Sequence, residues 1–204
     1  MLGRFPIGDI EVRLGKLFTN RRERGRQQTR FPAKITVHPQ YTSATYDSDI
    51  ALIYLSTNAA YTKYVKPICL PRPENDLRRP GTIGVITGWG QKGKGKKSRT
   101  RLRKVLLPIV DQETCKRSHP RYLVSTNMFC AGHFNGSLGD ACRGDSGGPL
   151  AIENNLTARA DDHRWVLAGI VSWGDGCAEV GKYGVYTRVS NFVRWINNHL
   201  DADE

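Results

Sequence analysis

A short glycine-rich segment around one serine, Gly144-Asp145-Ser146-Gly147-Gly148-Pro149, constrains this 204-residue chain more than any other feature. Glycine tolerates backbone conformations that other residues avoid, so the segment can turn sharply and bring backbone N–H groups close to a bound carbonyl group. A serine hydroxyl is a strong nucleophile only when a base takes its proton and donors stabilise the resulting oxyanion. The segment therefore predicts a nucleophile turn, with Ser146 as nucleophile and the N–H groups of Gly144 and Ser146 as donors. A plain tight turn is the alternative for the bare Gly-x-Ser-x-Gly core.

Other motifs follow in a fixed order along almost the whole chain. They are Asp49-Ile50-Ala51-Leu52, Lys66-Pro67-Ile68-Cys69-Leu70-Pro71, Thr87-Gly88-Trp89-Gly90, Asn127-Met128-Phe129-Cys130-Ala131-Gly132, Ile170-Val171-Ser172-Trp173-Gly174, residues 181–189 and Trp195-Ile196. With residues 140–149 they resemble the chymotrypsin family of serine proteases, and within it thrombin and related clotting proteases. The resemblance implies an all-β fold, a chymotrypsin-like double β-barrel with a C-terminal α-helix.

The resemblance also implies roles for four residues of the site. Ser146 would be the nucleophile, and Asp49 would orient the histidine that serves as its base. Asp145 would pair with the amine of a freshly cut N-terminus and so form the oxyanion hole. Asp140 would lie at the base of the specificity pocket, where a carboxylate favours a substrate Arg or Lys through charge-assisted hydrogen bonds.

The substrate-binding segments are implied in the same way. Ser172, Trp173 and Gly174 would pair with an extended peptide as an added strand, and Gly174 and Gly184 would wall the pocket. Plain core packing is the alternative for Trp173. The resemblance thus implies a secreted endopeptidase that cleaves proteins after Arg or Lys through an acyl-enzyme.

One part of this machinery is missing from the sequence. The family's catalytic histidine stands in an Ala-Ala-His-Cys motif, whereas Val12-Arg13-Leu14-Gly15-Lys16 already resembles a segment beyond it. The five histidines stand in other contexts and are interpreted as structural or solvated: His38, His119, His133, His163 and His199. We therefore expect the chain to be a fragment of a larger protein and inactive in isolation. A non-catalytic homologue that binds or regulates other proteins is the alternative.

The motifs divide the chain into four regions. Residues 1–58 form the remnant of an incomplete first β-barrel, residues 59–81 a linker, residues 82–189 a second β-barrel, and residues 190–204 a helix with an acidic tail. Strands are predicted at 33–37 and 50–55 in the first barrel, and near 83–89, 104–110, 148–152, 165–173 and 183–189 in the second. A short helix is predicted at 111–119, and Ser190 is predicted to be the N-cap of the last helix.

The five cysteines leave one unpaired. The resemblance implies the disulfides Cys115–Cys130 and Cys142–Cys177, and an interchain bond from Cys69 to a separate light chain; a free thiol is the alternative for Cys69. The Asn-x-Ser/Thr sequences at Asn135 and Asn155 could carry glycans in a secreted protein. No run of eighteen apolar residues is present, so no membrane span is predicted.

The net charge of +12 is concentrated in two segments. Residues 13–30 hold seven basic residues and one acid, and residues 91–110 hold eight basic residues and no acid, which predicts two positive patches. By resemblance, the first is an anion-binding patch for acidic peptides or glycans, formed by Arg13, Lys16, Arg21, Arg22 and Arg24. Nucleic acid is disfavoured as a partner because aromatic stacking motifs are lacking.

No cofactor and no metal site are predicted from the residues themselves. Because Lys16 stands where some relatives carry a calcium-binding acid, calcium is not expected. Tyr183, with Lys182, resembles the tyrosine that accompanies sodium binding in clotting proteases, so a sodium ion near these two residues is a possibility.

Overall fold

The computed structural model describes residues 6–72, 79–91, 97–136, 141–154, 164–177 and 179–200. Two of the predicted site residues, Asp140 and Asn155, lie outside these ranges. The described part contains ten strands: β1 (Val12–Leu14), β2 (Gln28–Arg30), β3 (Pro32–Val37), β4 (Ala51–Leu55), β5 (Ile83–Gly88), β6 (Arg103–Val110), β7 (Met128–Ala131), β8 (Pro149–Asn154), β9 (Arg164–Trp173) and β10 (Gly184–Arg188). The α-helices are α1 (Gln112–Ser118) and α2 (Val193–Leu200), and short 3-10 turns span Ile7–Asp9 and Val189–Phe192.

Strands β5 to β10 close into one barrel, in the order β10-β7-β6-β5-β8-β9. Every pair in it is antiparallel, and Ile86 of β5, for example, lies opposite Leu150 of β8. Leu107 and Leu150 are fully buried in its interior. Gly84 leaves room for the Leu150 side chain, since a Cβ built at Gly84 would lie 2.7 Å from it. Closure leaves this barrel without an exposed strand edge.

Residues 6–58, here called the first region, are arranged differently. Strand β1 pairs only with β2 and strand β3 only with β4 among the described strands, so the region consists of 2-stranded sheets rather than a closed barrel. Ile50, directly before β4, packs with Val189, Phe192 and Ile196. The first region is thus held against the C-terminal helix and its preceding turn. The predicted all-β fold with a closed barrel and a C-terminal helix is confirmed.

The helices begin near the predicted places. Asp111 caps α1, because its Oδ1 accepts a hydrogen bond from the Thr114 N–H at 2.8 Å, and this bond lowers the pKa of the Asp111 carboxyl group. The prediction of Ser190 as the N-cap of α2 was wrong. Ser190 lies within the 3-10 turn that precedes α2, since the chain becomes helical directly after Arg188.

Strand β7 was not predicted. All four of its residues are buried, so its sequence lacks the alternation of apolar and polar residues that marks a strand with one exposed face. No helix among the described residues is both long and apolar enough to cross a membrane.

Candidate active site

The predicted nucleophile turn is formed by two tight backbone turns in succession. The Asp145 N–H donates to the Cys142 carbonyl at 2.9 Å, and the Gly148 N–H donates to the Asp145 carbonyl at 2.8 Å. Gly144 and Gly147 adopt φ angles of 97° and 81°, which other residues rarely tolerate. Ser146 lies between them and is exposed. The glycines of the motif are therefore required by the backbone that presents Ser146.

The turn is fixed to strand β9. The Gly147 N–H donates to the Val171 carbonyl at 2.8 Å, and the Val171 N–H donates to the Gly148 carbonyl at 2.9 Å. Since Val171 is a buried residue of the barrel, Ser146 is presented by a rigid support.

The Asp145 carboxylate points inward from this turn. Oδ1 accepts from the Gly90 N–H at 2.8 Å, and Oδ2 accepts from the Cys142 N–H at 3.2 Å. A Cβ at Gly88 or Gly90 would overlap this carboxylate. The glycines of Thr87-Gly88-Trp89-Gly90 thus make room for the side chain that precedes the nucleophile.

Asp49 meets the same strand from the other side. Its Oδ2 accepts a hydrogen bond from the Ser172 Oγ at 2.7 Å, and its backbone carbonyl accepts one from the Thr187 Oγ1 at 2.8 Å. Ser172 directly follows Val171, which holds the nucleophile turn. The predicted aspartate and the predicted serine turn therefore converge on two adjacent residues of β9.

A polar network next to Asp49 was not predicted. The Asp47 carboxylate accepts hydrogen bonds from the Ser125 hydroxyl and from the Asn127 Nδ2, the latter at 3.2 Å. Ser48 is buried and has a φ of 55°, which costs energy in a residue other than glycine. The bonds from Ser125 and Asn127, which both lie just before the barrel strand β7, hold this strained turn in place.

The two glycine-bearing walls of the predicted pocket face one another. A Cβ built at Gly174 would lie 3.9 Å from the Cα of Gly184. The disulfide Cys142–Cys177 is formed and ties the nucleophile turn to the segment after Gly174. Gly174 and Gly184 therefore lie side by side, while Asp140, the predicted pocket base, lies outside the described residues.

Trp173 packs against several of its neighbours. It is partly buried against the cluster that contains the second disulfide, Cys115–Cys130. Its ring lies 5.1 Å from the His119 ring and 5.5 Å from the Tyr122 ring. Core packing is thus observed for Trp173, and its pairing with a bound peptide stays a prediction.

The side chains of the described histidines contact residues other than Ser146 and Asp49. His38 packs its ring against Phe192 and Trp195. The ring nitrogens of the other three contact backbone carbonyl oxygens: His119 that of Tyr183, His133 that of Leu106, and His199 that of Trp195. His163 lies outside the described residues.

The two basic segments predicted as separate patches are joined by backbone hydrogen bonds. The Thr19 N–H donates to the Thr100 carbonyl and the Leu102 N–H to the Leu17 carbonyl, both at 2.8 Å. Arg21 is exposed and lies over the Phe18 ring at 3.7 Å. Five exposed arginines near these bonds are here called the joined basic surface: Arg21, Arg22, Arg24, Arg99 and Arg101.

Two residues predicted for the anion-binding patch, Lys16 and Arg13, are hydrogen-bonded to groups of the chain itself. The side chain of Lys16 is only 6% exposed, and its Nζ donates to the Arg21 carbonyl at 2.6 Å and to Gln27 Oε1 at 3.1 Å. Arg13 makes two hydrogen bonds to Glu11, at 2.7 and 2.9 Å. Lys16 thus organises the loop from within and is not available to an anion.

Glu23 completes this loop. Its Oε2 accepts from the Leu17 and Phe18 N–H groups at 2.6 and 3.0 Å, and these bonds lower the pKa of the Glu23 carboxyl group. The one acid in this basic segment is therefore a buried structural residue.

Three remaining predictions concern the surface. Cys69 is a free, exposed cysteine. Asn135 is exposed in the turn after β7. Lys182, named for the sodium site, bonds through Nζ to Asp175 at 2.9 Å and to the Ser118 carbonyl at 3.1 Å. Among the described residues no group of three His, Cys, Asp or Glu side chains could hold a metal ion.

A closed six-stranded barrel with a C-terminal helix, a glycine-flanked serine turn and an aspartate bonded to strand β9 are the features of a trypsin-like serine protease fold. The chain belongs to the trypsin family, whose family model matches residues 5–196. A specific relative is vitamin K-dependent protein C of Oryctolagus cuniculus, which is 37% identical over 201 residues, covering 95% of this chain and 42% of that protein. The chain thus spans less than half of the length of this curated relative. The resemblance to trypsin-like and clotting proteases is confirmed.

Proposed function

We propose that this chain carries most of the catalytic unit of an endopeptidase that cleaves protein substrates after Arg or Lys. The observation that carries the proposal is the meeting of Asp49 and the Ser146 turn on Val171 and Ser172 of β9. A serine turn alone has a structural explanation, whereas an exposed serine and a carboxylate fixed to adjacent residues fit a nucleophile and the orienting group of its base.

In this mechanism the Ser146 Oγ attacks the carbonyl carbon of the substrate while its proton passes to a histidine oriented by Asp49. The N–H groups of Gly144 and Ser146 would donate to the oxyanion of the tetrahedral intermediate. The histidine returns the proton to the leaving amine as the peptide C–N bond breaks, which leaves an ester on Ser146. Water, activated by the same histidine, then hydrolyses this ester.

Selectivity for Arg or Lys would come from Asp140 between the walls that carry Gly174 and Gly184. The close approach of these two glycines supports a narrow slot. A carboxylate at its base would bind a guanidinium or ammonium group through charge-assisted hydrogen bonds. Because water is excluded from such a slot, an uncharged side chain would leave the carboxylate unpaired.

The base is proposed to come from sequence outside these 204 residues. The described histidines are hydrogen-bonded or packed elsewhere, which supports this assignment. We further propose that the chain is a fragment and that Asp145 awaits an N-terminal amine. The alternative is a non-catalytic homologue with a binding or regulatory role, and the absent base favours it.

A substrate series tests the activity. The protein produced from its complete transcript is assayed on peptides that differ only at the residue before the cleaved bond. We expect kcat/KM to be larger for Arg and Lys than for Ala or Phe by more than about a hundredfold. Ser146→Ala should abolish the activity, and Ser43→Ala, in an exposed turn, should not. Absence of cleavage by a protein whose transcript supplies a histidine would overturn the proposal in favour of the binding role.

The isolated chain provides a second test. We expect a fluorophosphonate probe to leave Ser146 unlabelled in the 204-residue chain, because no base takes its proton. Mass spectrometry of the Ser146 peptide measures this directly. Stoichiometric labelling would show that the chain contains its own base and is complete enough to react.

The protein is proposed to be secreted, with glycans on Asn135 and Asn155 and with a light chain bonded to Cys69. The exposure of Asn135 and Cys69 supports this, as does the presence of two disulfides, which persist in oxidising compartments. Sodium binding near Lys182 and Tyr183 remains a prediction.

An acidic partner, peptide or glycan, is proposed for the joined basic surface. Five exposed arginines on two hydrogen-bonded segments support it, because clustered charge of one sign attracts an anionic partner. The double variant Arg21→Glu/Arg22→Glu should weaken binding of a sulfated polysaccharide or an acidic peptide and reduce its salt dependence. Arg194→Glu, on the exposed face of α2, is the matched control. Equal binding by both variants would contradict the proposal.

A further inference from the structure

His119 is a buried ionisable residue for which the proposed mechanism has no use. It follows the last residue of α1 and exposes 1% of its surface. Its backbone is fixed on both sides, since its N–H donates to the Lys116 carbonyl at 3.1 Å and its carbonyl accepts from the Tyr122 N–H at 3.0 Å. The backbone that carries the imidazole is therefore fixed at the end of α1.

The ring contacts both segments that form the proposed substrate-binding wall. Its Nε2 lies 3.0 Å from the Tyr183 carbonyl oxygen, directly before Gly184, and its ring centroid lies 5.1 Å from that of Trp173, directly before Gly174. One side chain thus supports the residues that precede both glycines of the pocket.

The protonation state of this ring follows from its partner. A carbonyl oxygen only accepts, so Nε2 must carry the proton and donate it to Tyr183. In the neutral form Nδ1 is then a bare acceptor. It is buried, and it finds no hydrogen-bond partner among the residues that the structure describes; the same is true of Trp173 Nε1. A proton on Nδ1 would create a buried donor without an acceptor, which is costly.

The charged groups around His119 have opposing effects on its protonation. Lys182, from the segment between β9 and β10, opposes a positive charge on His119, whereas Asp175 from the same segment favours it. These two groups are paired with each other at 2.9 Å, and Arg121, in the turn after α1, also acts on Asp175. The basic groups of α1 are directed to their own helix: Lys116 to Glu113 and Arg117 to Thr114. Burial is the largest influence and lowers the pKa of His119.

We propose that His119 is a positioning residue: its neutral form supports Trp173 and the Tyr183 carbonyl group in the shape that a substrate side chain requires, and a second ring proton, which makes the buried Nδ1 a donor without an acceptor, drives the imidazole out of this place. The inference rests on the proposed function, because it assigns substrate binding to this wall. Binding of a basic side chain would accordingly weaken in acid through the wall, apart from any titration of the pocket carboxylate.

Benzamidine, a mimic of the arginine side chain, is the probe of this proposal. Its dissociation constant is measured by calorimetry between about pH 5 and about pH 8, the range in which histidine titrates. The full chain is compared with His119→Gln, whose amide can still donate to the Tyr183 carbonyl, and with the control His199→Gln on α2. We expect the affinity of the unchanged chain for benzamidine to be about threefold to tenfold lower at the acid end of this range. This loss should be much smaller in His119→Gln and unchanged in His199→Gln.

Equal pH dependence in His119→Gln and in the unchanged chain would overturn the inference. If benzamidine fails to bind at any pH, the proposed substrate pocket is wrong, and NMR of the unchanged chain decides the inference separately. The indole N–H signal of Trp173, assigned with Trp173→Phe, should then shift with the same midpoint as the His119 imidazole signals. Independent titration, or no shift of the indole signal, would show that His119 does not position Trp173. The NMR measurement also decides the matter if His119→Gln fails to fold.

Discussion

The closed barrel and the first region carry different parts of the proposed site, and they differ in how completely their strands are paired and buried. In the barrel, Ser146 lies in a turn bonded to strand β9, and the interior contains fully buried side chains such as Leu107 and Leu150. In the first region, Asp49 precedes a strand with one partner, and β3 and β4 have only partly buried or exposed residues. The comparison teaches that the position of Asp49 is secured by its bonds to the barrel, through Ser172 and Thr187, more than by its own sheet.

The largest difference between the regions is expected for the removal of one leucine side chain. Leu150→Ala should lower the free energy of unfolding by about 3–5 kcal/mol, because the side chain is fully buried and leaves a cavity. Leu52→Ala, the matched change in the partly buried β4, should cost less than about half of this value. Urea denaturation followed by far-UV circular dichroism measures both. Equal losses would show that the first region is as tightly packed as the barrel.

Hydrogen exchange sharpens the same comparison residue by residue. Amides of the β3–β4 pair, such as those of Ile35 and Ile53, should exchange at least about a hundredfold faster than those of β5 and β6, such as Ile86. The reason is that a 2-stranded sheet can open without unfolding the barrel. Exchange measured by NMR or mass spectrometry is the readout, and uniform protection of residues 10–58 would contradict the expected weakness of this region.

Gly90→Ala perturbs the barrel side of the site alone. The added Cβ would overlap the Asp145 carboxylate, which must then move and lose its bonds to backbone N–H groups. A stability loss of about 1–3 kcal/mol is expected from such overpacking. Gly8→Ala in the first region is the control, since a Cβ there has open space around it. A Gly90→Ala variant as stable as Gly8→Ala would show that Asp145 does not depend on this room.

The sequence predicted what lies within motifs and missed what depends on contacts between distant segments. Gly144, Ser146 and most barrel strands were predicted because each is encoded by a few neighbouring residues, whereas the two disulfides were predicted from the family resemblance. Strand β7 was missed since it is buried on both faces.

The network of Asp47 with Ser125 and Asn127 was missed for a related reason. Its members are separated by 78 and 80 positions, and only the folded chain brings them together. The joining of the two basic segments and the burial of His119 likewise follow from tertiary packing, and a local pattern of residue types carries no signal for either.

The smallest of the expected effects concerns one buried histidine in each region, and it tests whether the two regions also differ in their response to acid. Burial lowers the pKa of both His38 and His119 below the usual 6.5. The unfolded chain therefore binds protons at a higher pH than the folded chain, and stability falls as the pH drops below about 6.5 until both folded-state pKa values are passed. Replacing either residue by Gln should flatten this fall, and the change should be larger for His119, which is 1% exposed against 8% for His38. Urea midpoints measured across this pH range give the slopes. A larger change for His38, where Asp47 partly offsets the burial, would mean that the contact between the first region and α2 is the more acid-sensitive part of the molecule.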